Sequence, residues 1–200
     1  MQQQLIMIHG GTTFDTYDDY VEFLEASNVS AEKFKTSKHW QNSLDSQLGS
    51  EFEVFAPRMP NRNNARYKEW CIWFQKMLPF INDDVTLVGY SLGGVFLAKY
   101  LSENTFPKKI KGLVLVGSPM DSVGLSESLG DFDFATSVSD FTLQTGKTYM
   151  IFSEDDPVVP YSRLDEYTQM LSKVETITFL DKGHFYQEFF PEIVKLIKNI

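Results

Sequence analysis

The stretch Gly89-Tyr90-Ser91-Leu92-Gly93 sets a serine between two glycines in the spacing G-x-S-x-G, with Gly94 following. That spacing serves nucleophilic attack by a serine hydroxyl on an acyl carbon. Such a serine sits on a tight strand-to-helix turn, where side chains at the flanking positions would collide with the neighbouring strand and helix. The surroundings agree: Val85-Thr86-Leu87-Val88 reads as a strand, and Val95 to Leu101 as a helix. The turn would lift the Ser91 hydroxyl above the sheet, beside a helix N-terminus that favours negative charge. An ordinary serine in a glycine-rich turn is the competing reading, and it has to treat that context as coincidence.

A serine hydroxyl attacks poorly until an imidazole takes its proton. The chain has three histidines, His9, His39 and His184. On an elbow of this kind the order along the chain is serine, acid, histidine. Only His184 follows Ser91, in Asp181-Lys182-Gly183-His184-Phe185. The acid belongs between them, and Glu154-Asp155-Asp156-Pro157 offers two aspartates after an apolar run. Asp156 is preferred, because the residue before a proline is held extended; Asp155 is left to brace the loop. The carboxylate would fix the imidazole tautomer and stabilise the imidazolium that forms. For the developing oxyanion, one donor is the Leu92 N–H. The second comes from His9-Gly10-Gly11-Thr12, with Gly11 N–H first and Thr12 second. His9 itself reads as structural, bonded to neighbouring loops.

Groups this far apart in sequence need a frame that gathers them. Six strand-like runs are predicted: Leu5–His9, Glu51–Ala56, Val85–Gly89, Gly112–Gly117, Lys147–Ser153 and Glu175–Leu180. Several are continuously apolar, as strands covered on both faces are. Helical periodicity lies between them over Tyr17–Ala26, Lys38–Leu48 and Tyr67–Ile81. It recurs at the end of the chain through Phe185, Phe189, Ile193, Leu196, Ile197 and Ile200, where Pro191 marks a helix start or a kink. The alternation predicts an α/β fold with a mostly parallel six-stranded sheet and helices on both faces, a three-layer α/β/α arrangement. Ligands in such sheets bind beyond the carboxyl ends of the strands. Every candidate residue above follows a strand.

With 200 residues, of which 42% are hydrophobic, the chain can bury a core as a single domain over 1–200. A net charge of −9 with no Lys/Arg cluster argues against nucleic acid or an anionic membrane as the partner. One cysteine, Cys71, precludes an internal disulfide and reads as a spectator. Met1 to Gln4 carry no basic n-region, the apolar run Leu5 to Ile8 is too short for a signal sequence, and no apolar run nears the roughly 20 residues that span a bilayer, so a cytoplasmic location is expected. The chemistry calls for no cofactor and no metal.

The set His9-Gly10, Gly89-x-Ser91-x-Gly93, Asp156-Pro157 and Gly183-His184 resembles the α/β-hydrolase superfamily. More narrowly, the chain is similar to the compact serine hydrolases of the retinoblastoma-binding serine hydrolase family. The features that point there are the chain length, a first strand leading straight into His-Gly, and Asp155-Asp156-Pro157-Val158-Val159-Pro160. The Pro57-Arg58-Met59-Pro60-Asn61 stretch followed by Trp70 points the same way. The resemblance covers nearly the whole chain. It implies a sheet without the two leading strands of larger hydrolases, and it matches Ser91, Asp156 and His184 to the triad one by one.

Two loops should rim the site. Residues 57–66 carry Arg58, Arg62 and Arg66 and no acid. An inward arginine could hold a substrate carboxylate or phosphate, and a solvated basic loop is the alternative. Thr12, Arg58, Met59 and Tyr90 are the candidate substrate contacts. Residues 119–142 hold five acids, no Lys or Arg, and Phe132, Phe134 and Phe141. They are expected to form a small lid with an apolar underside, or a structural loop with a short helix. The expected activity is hydrolysis of a small-molecule or peptide acyl substrate: a carboxylic ester, or a thioester or amide. The alternative is a non-catalytic binding protein on the same scaffold.

Overall fold

The architecture is that of a computed structural model, which describes residues 2–36, 38–134 and 140–200. Six strands form one sheet: β1 (Gln3–Ile8), β2 (Phe52–Phe55), β3 (Val85–Tyr90), β4 (Ile110–Val116), β5 (Thr145–Ser153) and β6 (Glu175–Phe179). Their order is β2-β1-β3-β4-β5-β6, and every neighbouring pair is parallel. The six strand predictions match these to within a few residues at each end.

Side chains alternate across each strand, so the sheet feeds two cores. Ile6, Ile8, Leu87, Leu113 and Leu115 enter one, with α3 (Tyr67–Met77), α4 (Leu92–Glu103) and α5 (Leu164–Gln169) against them. Leu5, Met7, Val88, Val114 and Val116 enter the other, closed by α2 (Leu44–Leu48) and α6 (Pro191–Asn199). Each core has a fully buried tryptophan, Trp70 in the first and Trp40 in the second. This is the expected three-layer arrangement.

The helical predictions needed more correction. α1 (Tyr17–Ala26) forms where expected, with a capping box between Thr16 and Asp19, yet buries no residue. The predicted Tyr67–Ile81 helix ends at Met77 and continues as a 3-10 turn over Leu78–Phe80, because Pro79 has no N–H to extend the α ladder. Lys38–Leu48 is a 3-10 turn (Trp40–Ser43) running into α2. At the C-terminus Pro191 starts the helix, and residues 185–190 are loop. Phe185 and Phe190 still reach the core from that loop, whereas Phe189 is exposed and leaves the predicted stripe. The short helix α5 went unpredicted.

Much of the predicted lid region is tied to the body. Met120, Leu129, Phe132, Phe134 and Phe141 all lie in the α3/α4 core. Asp121 pairs with Arg163, and Asp131 accepts the Tyr67 N–H at the start of α3. Residues 135–139 of that region lie outside the described residues. Among the described residues no helix is long and apolar enough to cross a membrane.

Candidate active site

The strand order puts the site where it is. The chain runs from β1 out to the edge strand β2, then returns across β1 to β3. The loops leaving β1 and β3 therefore part at the carboxyl edge of adjacent strands, which leaves a crevice. Gly10 follows β1 and Ser91 follows β3. They lie so close that a methyl group on Gly10 would stand 3.2 Å from Ser91 Cβ.

Ser91 has φ +50° and ψ −125°, a left-handed backbone that costs a non-glycine residue roughly 1–3 kcal/mol. The surrounding glycines explain how the turn fits. A methyl on Gly93 would lie 2.2 Å from the Ile8 carbonyl oxygen, and one on Gly89 would lie 2.5 Å from Gly94 Cα. Ser91 N–H donates to Val116 O (2.9 Å), and Gly94 and Val95 N–H close onto Ser91 O, which fixes the elbow to β4 and α4.

His184 stands opposite, on a turn between two left-handed residues, Gly183 (φ +50°) and Phe185 (φ +56°). Its Nε2 lies 2.9 Å from Ser91 Oγ, and its Nδ1 lies 2.9 and 3.1 Å from the two Asp156 oxygens. The Asp156 carboxylate is an acceptor, so Nδ1 carries the proton and Nε2 is free to accept from the serine hydroxyl. Asp156 is itself oriented by Val158 and Val159 N–H, at 2.8 and 3.0 Å from Oδ1. Both the His184 and Asp156 side chains are buried, at 3% and 1% exposure, so bulk water does not compete for these bonds. Ser91, His184 and Asp156 are thus positioned as a catalytic triad for ester or amide hydrolysis.

The residues around the triad hold it in place. Asp155, left by the sequence as a brace, accepts from Ser153 Oγ (2.6 Å) and Gly183 N–H (2.8 Å), while Ser153 Oγ accepts from Lys182 N–H (2.9 Å). These bonds hold the Asp155 carboxyl below its usual range, Ser153 contributing most. Tyr90 OH donates to His184 O (2.7 Å). Burial pushes the Tyr90 phenol up, so it keeps that proton. His9 Nε2 accepts from Met59 N–H (2.9 Å), which leaves Nδ1 to donate to Gly10 O (2.7 Å). That is the structural role expected of His9.

Of the candidate oxyanion donors, Thr12 N–H is already engaged, donating to Arg62 O at 2.8 Å. Arg66, in the same loop as Arg58 and Arg62, donates to Phe14 O and serves the fold. Arg58 and Arg62 are exposed, Met59 is buried, and Arg58, Met59 and Tyr90 line one common pocket. The cleft holding Ser91 and His184 has a volume of about 180 Å³ and includes Asn63, Glu127, Val158 and Tyr186 in its walls. The sequence reading missed these four. Tyr186, whose ring lies 5.4 Å from that of His184, adjoins the base in sequence and could have been found from that alone.

Comparison with known proteins agrees with this geometry. A family model described as serine hydrolase matches residues 33–190. The chain is 22% identical over 151 residues to the serine hydrolase RBBP9 of Rattus norvegicus, covering 74% of this chain and 78% of that one. It is likewise 22% identical over 157 residues to YdeN of Bacillus subtilis, covering 76% and 81%. The crystal structure of the B. subtilis ydeN product superposes with a TM-score of 0.77 at 19% identity, over 99% of this chain and 98% of that one. A pyrethroid hydrolase from Sphingobium faniae JZ-2 superposes with a TM-score of 0.61 at 14% identity, over 100% and 97%. At these identities the structural likenesses speak for the fold.

Proposed function

Because the chain belongs to the serine hydrolase family, we propose that it hydrolyses a carboxylic ester through a Ser91 acyl-enzyme, with thioesters and amides open to the same chemistry. The carrying observation is the unbroken relay from Ser91 Oγ to His184 Nε2 and from His184 Nδ1 to Asp156, each link 2.9 Å at its shortest. His184 takes the serine proton as Oγ attacks the carbonyl carbon, then gives it to the leaving group as the carbon–oxygen bond breaks. Water, deprotonated by His184, attacks the acyl-enzyme and releases the acid. Asp156 stays ionised throughout and stabilises the imidazolium.

The Gly11 and Leu92 N–H groups are assigned to the oxyanion. Leu92 is the first residue of α4, so its N–H has no carbonyl within the helix. A methyl on Gly11 would lie 2.6 Å from Arg62 O, which argues that a bare backbone is needed there. Thr12 and Tyr90, which line the cleft, and Arg58 and Met59 beside it are assigned to substrate contact. Residues 119–142 are assigned as a small lid within a single domain, and Leu125 and Leu129 of it line the space next to Ser91. A lone free cysteine, Cys71, is compatible with the cytoplasmic setting assigned to the protein. The test is a fluorophosphonate probe with the adduct mapped by mass spectrometry. Labelling at Ser91 that His184→Ala abolishes is the expected result, and well-folded protein that takes no label would refute the assignment.

A further inference from the structure

The catalytic cleft continues into a larger side pocket of about 520 Å³, and the two share Gly10, Arg62 and Tyr90. Its remaining wall includes Arg58, His39 and Gln41. Neither the Arg58 nor the Arg62 guanidinium has a carboxylate or hydrogen-bond partner among the described residues, although the chain carries a net charge of −9. Arg66, in the same loop, shows the contrast: it is spent on Phe14 O. Two unpaired cations beside one cleft in an acidic protein form a local field for an anion.

The backbone under these arginines is fixed. Met59 N–H donates to His9 Nε2 (2.9 Å), Trp70 Nε1–H to Pro60 O (2.8 Å) and Thr12 N–H to Arg62 O (2.8 Å). The guanidiniums therefore extend from a preorganised base, which lowers the ordering cost of binding. Deeper in the same wall, both ring nitrogens of His39 and Nε2 of Gln41 are buried without a partner. Buried polar atoms are nearly always satisfied, so these three call for a polar partner, either ordered water or a polar ligand atom.

The direction of the pocket identifies the part of the substrate it meets. The leaving group must lie near His184 Nε2 to be protonated. The wall on that side runs through Tyr90, Tyr186 and Arg62 into the pocket. On the other side of Ser91, Leu92, Leu125, Leu129 and Val159 line a slit of only about 30 Å³, which admits a short acyl group. Glu127 lines the slit and the catalytic cleft that leads to the pocket, so its negative charge makes the two arginines suit a monoanion better than a dianion.

Resting on the hydrolase reading above, we propose that this pocket is the leaving-group subsite and takes a carboxylate through Arg62 and Arg58. The substrate is then a short-chain acyl ester or amide whose alcohol or amine portion is itself a carboxylic acid. Ser91 Oγ bonds to the acyl carbon, the bond to the leaving oxygen or nitrogen breaks, and His184 protonates the departing hydroxy or amino acid.

The test compares 4-acetoxybenzoate with its neutral analogue 4-acetoxybenzamide, in wild type, Arg62→Gln and Arg62→Lys. The ratio of kcat/KM for the acid to that for the amide should fall at least about tenfold in Arg62→Gln, mainly through KM, as loss of a charge-assisted hydrogen bond requires. Arg62→Lys should restore part of it. A second reading needs no turnover: 4-hydroxybenzoate, titrated calorimetrically into Ser91→Ala, should bind at least about tenfold more weakly once Arg62→Gln is added. An unchanged ratio together with unchanged product binding overturns the subsite. If neither ester is cleaved in a Ser91-dependent way, the hydrolase reading falls, and product binding to the Ser91→Ala protein still decides the subsite.

Discussion

Single side chains at this site are held by contacts whose removal has a calculable sign. A methyl at Gly93 would overlap the Ile8 carbonyl oxygen at 2.2 Å and the His9 carbonyl oxygen at 2.6 Å, and both belong to backbone that cannot swing away. Gly93→Ala should therefore lower Tm and abolish labelling of Ser91 together, which thermal melts and the fluorophosphonate probe would record. Asp156→Asn keeps the size of the side chain but loses the charge that fixes the Nδ1–H tautomer. It should cost about 10³–10⁴ in kcat with little change in fold, measured by ester turnover and circular dichroism. His39 makes a pH prediction. Burial, aided by the positive charge of Arg62, lowers its pKa from 6.5 to about 4. Between those values the unfolded chain binds a proton that the folded chain refuses, so stability rises with pH across the window and is lost as pH falls through it. His39→Leu should shrink the drop in Tm between pH 7 and pH 4.5, and an unchanged drop would show that other groups carry the acid sensitivity.

At the scale of elements, the turn after β6 has to deliver His184 to Ser91, and Asp155 ties that turn to the end of β5 through Ser153 and Gly183. Asp155→Ala should leave the triad residues present but loosely placed. The expected result is a kcat lower by about ten- to a hundredfold with KM little changed, since small displacements of a catalytic group are costly. This brace also shows what the sequence could and could not disclose. The strands were legible because runs such as Leu113-Val114-Leu115-Val116 are buried on both faces and carry their own signal. The triad was legible because the elbow spacing and the scarcity of histidines left few choices. Phe185 and Phe189 looked helical because they are apolar at helical spacing with Ile193, yet both lie on the loop that Pro191 terminates, Phe185 buried and Phe189 exposed. α5 is six residues long and buries only Leu164 and Tyr167, too short for periodicity to register. His39 was passed over because it precedes Ser91, and no local pattern predicts a pocket built from β1, β3 and two separate loops.

For the whole molecule, the reversal between β1 and β3 gives the cleft two unlike sides. One side is cationic and wide, the other apolar and narrow, and the narrow side is closed by residues 119–129 packed down through Met120 and Leu129. Its floor cannot retreat, because Leu92 and Val159 belong to the buried core, whereas Leu125 is only partly buried at the rim. Acyl length should therefore be limited by Leu125 more than by any core residue. With a slit of about 30 Å³, wild type is expected to favour acetyl and propionyl esters and to lose kcat/KM beyond them. Leu125→Ala opens the rim without touching the triad. Each methylene that then finds apolar cover is worth about 0.8 kcal/mol, so the butyryl-to-acetyl ratio of kcat/KM, which differs by two methylenes, should rise by up to about fifteenfold. A 4-nitrophenyl ester series from acetate to hexanoate measures this directly. A profile that Leu125→Ala leaves unaltered would mean that the acyl chain runs toward the arginines instead, and would reverse the assignment of the two sides.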